Sequence, residues 1–597
     1  MNQNMKTAIF YGIVGGLLTF LFGGWSVTVI GIVLGVALGL VAADRLKQKA
    51  PLQLAREVLP TALVAATILV ALSLIQNYKI YPTIGKPPYD INTVLGGNII
   101  GFLGVVIFTC LMAAFRGLPP RQERIAKLIV LGFLIIAFPF FDQFSQLRWT
   151  AQIIFALIFV ILGLGLNIVV GYAGLLDLGY AAFFAIGAYT TGILSSPQHN
   201  IFLNFWLVIW IAAAVGAIFG LILGAPTLPL RGDYLAIVTL GFGEIVPVLF
   251  RNLIDVTIKE PLTCWILPLF RIQTQCITFM SHEDLTAGEK GINPIGRPVL
   301  PFISHGEAMG PGLILKWVLL VLAVSLAVYF YLRARSMGNR TTGRLVGFLA
   351  TLAIILLLFL PIPHPKTGPF ATFINIFQPG EFRSDNPVPW YFLIIGIILL
   401  TVFLINRLRE SRLGRAWMAI REDELAAAQM GINPVRTKLL AFAMGATFSG
   451  FAGAFYAAYI RGIFPSVFDF SASIIILSCV ILGGLGNVNG VIVGGLALMT
   501  ADRLFLPALK DFLGGLLQHT VLPALASNPI VQTAVAQNAN PILYRFLLFG
   551  LTLVLMMALR PEGLIPSEQI REELHADENE PAPAGATAPA FESGTPK

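Results

Sequence analysis

Long apolar runs separated by short polar segments set the organisation of this chain. A helix needs roughly 20 predominantly apolar residues to cross the ~30 Å hydrocarbon core of a bilayer. Runs that meet or approach that length fall at 7–23, 26–43, 59–76, 94–115, 126–141, 150–170, 177–194 and 203–225. They continue at 232–253, 312–332, 344–362, 389–406, 437–460, 471–485, 490–507 and 541–560. Strict two-residue alternation is missing from these runs, which excludes a closed transmembrane barrel. The predicted fold class is therefore all-α, a polytopic transmembrane helical bundle of about 14–16 membrane segments, the shortest of which read as half-helices.

Composition agrees with the pattern. Of 597 residues 56% are hydrophobic and 12% charged, against about 25% charged in a soluble domain. A formal charge of +8 would hint at nucleic acid in a soluble protein. Here the basic residues lie between apolar runs, so they read as orientation in lipid, with no nucleic-acid partner. When the amino terminus is placed in the cytoplasm and the sixteen runs alternate, 22 Lys and Arg fall inside and 15 in the longer outside loops. This is the bias of the positive-inside rule, and it puts both termini in the cytoplasm of a multi-pass membrane protein. The first apolar stretch runs on to Val41 without a small-residue cleavage site, so it reads as membrane span rather than secretory signal.

Three parts follow. Residues 1–125 form an extension with about four spans, 126–566 a core, and 567–597 an acidic tail too poor in bulky apolar residues to fold. Within the core, the outside segments 254–311 and 363–388 are rich in Pro and Gly, as ordered external loops are. Cys264 and Cys276 share the first of them. On an oxidising side they form a candidate disulfide, whereas Cys110 and Cys479 lie in apolar runs and read as packing residues.

Several chemistries are missing. There is no GxxxxGK phosphate loop and no HExxH, and the six histidines are scattered through loops and tail. The sequence therefore assigns no catalytic residue, no metal site and no cofactor to this chain, and the expected role is transport rather than reaction.

The polar stretch 406–442, NRLRESRLGRAWMAIREDELAAAQMGINPVRTKLLAF, stands out on the inner side. Ala416 to Met430 are almost all good helix formers, Gly431 suits a helix end and Pro434 prevents continuation. The spacing predicts one amphipathic surface helix with Trp417, Ile420, Leu425 and Ala428 on its apolar side. Such a helix docks on a soluble partner or lies on lipid, a reading that the interleaved acids weaken.

ELAAAQMG at 424–431 resembles the coupling signature of ABC-importer permeases, and the fuller 411–442 string is similar to the form in permeases for branched-chain amino acids. Four more stretches agree with that family: LNIVVGYAGLLDLGYAAFFAIGAYTTGIL at 166–194, LRGDYLAIVTLGFGEIV at 230–246, GGLGNVNGVIVGG at 483–495 and LRPEGLIP at 559–566. The chain departs from the commonest form in its 1–125 extension, its enlarged 254–311 loop, an insertion around 338–388, and Pro247 where a basic residue is frequent. The resemblance implies a second permease subunit, two cytoplasmic ATPase subunits that use ATP and magnesium, and a periplasmic substrate-binding protein.

In that reading Arg415, Arg421, Glu422, Glu424, Ala427 and Gly431 couple the permease to the ATPases, a helix seated in their surface cleft acting as a lever. The alternative for Arg421 and Glu424 is pairing along their own helix. Gly171, Gly174, Gly179 and Gly187 permit an interrupted helix whose freed backbone faces a cavity. Asp177 and Glu244, carboxylates in apolar surroundings, are translocation-path or helix-pairing candidates. Gly483, Gly484, Gly486 and Gly490 form a tight inner turn or a close-packed seam. The implied function is ATP-coupled import of branched-chain or other hydrophobic amino acids. A urea or other small-solute importer, and an ion-coupled secondary transporter, remain the alternatives.

Overall fold

The computed structural model describes residues 3–44, 51–85, 89–145, 147–199, 201–227, 233–259, 278–298, 382, 386–524, 540–560 and 562–565. Fourteen of the sixteen apolar runs coincide with helices, and 312–332 and 344–362 lie outside the described residues. So do Cys264, Cys276, the insertion from 338 to 381 and the 567–597 tail. Among the described residues ten helices are long and apolar enough to cross a membrane, and the shorter apolar helices include Ala181–Ser195 and Phe470–Gly483.

The extension contributes α1 (Gln3–Phe22), α2 (Ser26–Asp44), α3 (Pro51–Ile75) and α4 (Ile91–Arg116). These helices enclose their own apolar cluster, with Val27, Leu34, Leu38, Leu69 and Val105 buried. Small residues let the backbones meet, since a methyl on Gly31 would stand 2.5 Å from the Gly101 carbonyl oxygen. Phe22 against Trp149 and Trp25 against Phe144 join this bundle edge-to-face to the rest, with centroids 5.1 and 5.7 Å apart.

The core proper runs from α5 (Pro120–Ser145) through α6 (Trp149–Leu166), α7 (Ala181–Ser195), α8 (Phe205–Thr227) and α9 (Asp233–Asn252). It resumes with α10 (Val388–Glu410), α11 (Arg412–Glu422), α12 (Glu424–Gln429), α13 (Pro434–Ile460), α14 (Phe470–Gly483) and α15 (Val488–Thr500), and closes with α16 (Arg545–Leu559). α13 is the central post, buried along most of its length. Small-residue packing, the rule for helices that meet within lipid, brings α7 and α8 against it. A methyl on Gly187 would stand 2.7 Å from the Gly450 α-carbon, and one on Gly216 2.6 Å from the Ala446 carbonyl oxygen. One departure from the all-α expectation is an antiparallel pair in the 254–311 loop, Val256–Lys259 with Thr278–Glu283, where Ile258 faces Met280.

Backbone contacts sort the connecting segments to two ends. At one, Gly296 N donates to Ser195 O and Ile292 bridges Ile463. The other gathers 167–180, 411–433, 482–487 and 562–565, and the candidate site lies there.

Candidate coupling and translocation site

The polar segment is two helices rather than one. Ser411 opens α11 by accepting from Gly414 N at 3.3 Å. α11 then buries Trp417 and Ile420, and Trp417 Nε1 donates to Thr437 O at 2.8 Å, which seats it against the start of α13. The ladder stops at Asp423, whose backbone is extended and whose Oδ1 accepts from Leu425 N and Ala426 N at 2.8 and 3.0 Å. A carboxylate that offers itself to the next two N–H groups competes with helix continuation and caps a new one. The expected 416–430 helix is therefore corrected to a break at Asp423, and its apolar side divides. Trp417 and Ile420 are buried, while Leu425 and Met430 are 64% and 84% exposed at the tip and Ala428 is exposed with them.

Ala427 is buried, and α12 ends where Gly431 N donates to Ala428 O and Ile432 N to Ala427 O. Gly431 has φ +85°, the left-handed conformation that closes helices and favours glycine. Asn433 then caps α13 through Arg436 N at 3.1 Å. Arg415 is exposed and donates to Glu410 O at 2.9 Å, and Glu422 is exposed.

Arg421 and Glu424 each reach a residue outside the segment. Glu424 Oε1 meets Lys438 Nζ at 2.7 Å, with the lysine side chain 6% exposed. Arg421 donates from Nη1 to the Gly171 carbonyl at 2.7 Å, and its stem lies over Gly174, where an added methyl would stand 2.9 Å from Cγ. Gly174 has φ +69°.

Gly171 and Gly174 belong to the interruption itself. α6 widens through Asn167–Tyr172, regular helix stops over 173–180, and α7 begins at Ala181. Asn167 Oδ1, inside the widened turn, accepts from Gly486 N at 2.9 Å. The Gly-rich turn is thereby fastened to the interruption, and Gly483 also receives the chain's 562–565 segment. Leu564 N donates to Leu482 O and Ile565 N to Gly483 O, at 2.9 and 3.1 Å. Gly484 takes φ +116°, and a methyl on Gly490 would stand 2.8 Å from Ile565 O. No larger residue fits this three-way seam without movement.

Asp177 lies within the interruption, 2% exposed, with Oδ1 accepting from Gly179 N at 2.9 Å. Leu178 N donates to Thr239 Oγ1 of α9 at 3.1 Å, and Gly179 packs against the same helix. Between them is a cleft of about 220 Å³ whose lining includes Asp177, Gly179, Phe183, Thr239 and Phe442. Glu244 is not part of that lining and stands exposed on α9. Gly187, a turn and a half into α7, serves the seam with α13 and not the interruption.

Sequence reasoning passed over Asp423, Lys438 and Asn167. An Asp just before ELAAAQ is an N-cap signal, and a lone Lys or Asn at the edge of an apolar run asks for a partner. Nothing local announces Arg421 on Gly171.

A family model described as branched-chain amino acid transport system / permease component matches residues 150–341 and 303–556. The chain is 32% identical over 441 residues to the high-affinity branched-chain amino acid transport system permease protein LivM of Salmonella typhimurium, covering 74% of this chain and 75% of that one. It is 32% identical over 457 residues to LivM of Escherichia coli, covering 76% and 78%. A shorter similarity, 33% over 125 residues, links it to the permease protein LivH of the same system in Salmonella typhimurium, covering 21% and 39%. No solved structure matches the chain.

Proposed function

This chain belongs to the family of branched-chain amino acid transport system permease components, and on that footing we propose that it is the transmembrane permease subunit of a binding-protein-dependent ABC importer for branched-chain and other hydrophobic amino acids. Its partners are a second permease subunit, two cytoplasmic ATPase subunits and a periplasmic binding protein. ATP and magnesium are handled by the ATPases. The 411–433 end faces the cytoplasm, in keeping with the excess of Lys and Arg on that side, and both termini lie there in the inner membrane.

One observation carries the coupling role: the Arg421 bond to Gly171 O at 2.7 Å. A segment with an exposed apolar tip, Leu425 and Met430, is thereby tied to the interrupted helix beside the Asp177 cleft. An ATPase surface that grips the tip and moves on closing would pull on the interruption through Arg421, while Trp417 anchors the segment to α13. Alternating access follows when that pull opens one end of the path as the other closes.

The test is Gly431→Asp in the assembled complex. Gly431 closes α12 with a left-handed φ in open space, where a charged side chain strains the turn and alters the docking tip without a clash in the bundle, so the variant should insert normally, lose its hold on the ATPases and lose labelled leucine uptake. Normal uptake would overturn the assignment of the lever.

A further inference from the structure

We propose that the Asp177 cleft is a subsite for the primary ammonium group of an apolar amino acid on its way through the permease, an inference that rests on the transport reading above. Asp177 Oδ1 is occupied by Gly179 N, while Oδ2 is buried and has no hydrogen-bond partner. A buried carboxylate oxygen left bare in apolar surroundings costs several kcal/mol, so the site is built for a cationic guest. Thr227 and Thr239 line the same cleft. Their hydroxyls donate to Gly224 O and Ala236 O, and Thr239 Oγ1 also accepts from Leu178 N, which leaves Thr227 both lone pairs and Thr239 one to accept with.

Three side-chain acceptors match the three donors of an –NH3⁺ group. A hard metal ion would want about six oxygens. The rest of the wall is apolar and includes Phe183, Leu223, Phe242 and Phe442, fit for an aliphatic side chain and wasted on a bare ion. At about 220 Å³ the cleft is smaller than drug-sized pockets of roughly 300–1,000 Å³ and suits a small guest.

The cleft also opens in the right direction. Gly241 and Ile245 line it and are exposed on α9, and Glu244 shares their helical face. Glu244 is near the middle of the Tyr234–Asn252 span. An exposed mid-span carboxylate does not face hydrocarbon, so this side of α9 borders water or the partner permease rather than lipid.

The experiment is equilibrium binding of labelled leucine to the full complex, solubilised without its periplasmic binding protein, with leucine uptake by the native complex measured in parallel. 3-Methylbutylamine, leucine without its carboxylate, should compete, and 4-methylpentanoate, leucine without its ammonium, should not. Asp177→Asn keeps the Oδ1 acceptor for Gly179 N and removes the charge, so it should weaken binding by roughly tenfold or more, the scale of a hydrogen bond to a charged group. Asp177→Glu should recover part of the loss. Ile245→Trp, at an exposed rim position, should weaken binding by obstruction with the charge intact. Undetectable binding by a complex that takes up leucine, unchanged binding in Asp177→Asn, or equal competition by the acid overturns the subsite alone. Failure of the native complex to take up leucine overturns the transport reading on which it rests.

Discussion

The Arg421 guanidinium, on a polar helix at the end of the bundle, donates at 2.7 Å to the carbonyl of Gly171, 250 residues earlier, in the widened last turn of a buried helix. That carbonyl is free because the α6 ladder fails at the interruption. A helix that stops inside a membrane protein must find other partners for its last carbonyls, and here one of them is the charged side chain of the coupling segment. The arginine stem also fills the space over Gly174.

Gly174→Ala tests that fit. The φ of +69° disfavours any side chain, and the added methyl would press on Arg421 Cγ at 2.9 Å. The two effects together should cost about 1–3 kcal/mol locally. Leucine uptake should fall several-fold while membrane insertion, read by the amount of assembled complex, is unchanged.

Asp423→Ala should loosen α12 by about 1 kcal/mol, the usual worth of an N-cap. Co-purification of the ATPase subunits, titrated with their concentration, should show several-fold weaker association. Asp423→Ser, which restores a capping oxygen, should return most of it.

Glu424→Ala leaves the largely buried Lys438 ammonium without the carboxylate 2.7 Å away. Stranding a buried charge is worse than removing the pair. Glu424→Ala should therefore lower thermal stability of the purified chain by more than Glu424→Gln with Lys438→Met, a comparison that a melting curve makes directly.

The junction between α4 and α5 offers a pH test. A hydrogen bond from Lys127, with the charges of Lys127 and Arg116, holds the Glu123 carboxyl below the usual carboxylate range. Because the folded value is the lower one, the stabilisation is present at neutral pH and is lost as pH falls through that value. Glu123→Gln should lower the melting temperature at pH 7, and the difference from the native chain should shrink as the pH is lowered through the acid range.

Much of the bundle was legible in the sequence because lipid demands unbroken apolar runs, and helices stand at fourteen of the sixteen runs. The closing Gly431 was equally readable, since its signal is local, whereas Pro434 was read only as a stop and in fact opens α13 behind the Asn433 cap. The Asp423 break was hidden by a strong run of helix formers on both sides, in which a capping carboxylate looks like one more surface charge. The Arg421–Gly171 and Asn167–Gly486 bonds were out of reach of any pattern, because their partners are far apart in the chain and meet only through tertiary packing.

The most direct measurement of coupling is ATP hydrolysis and labelled leucine uptake in the same proteoliposomes, comparing the native complex with Arg421→Ala. The guanidinium that links segment to interruption would be gone while the Leu425 and Met430 tip stays in place. Hydrolysis should persist, and uptake should drop by roughly tenfold or more, as expected for losing a charged hydrogen bond. Uptake that remains proportional to hydrolysis, as in the native complex, would contradict the claim that Arg421 transmits the work.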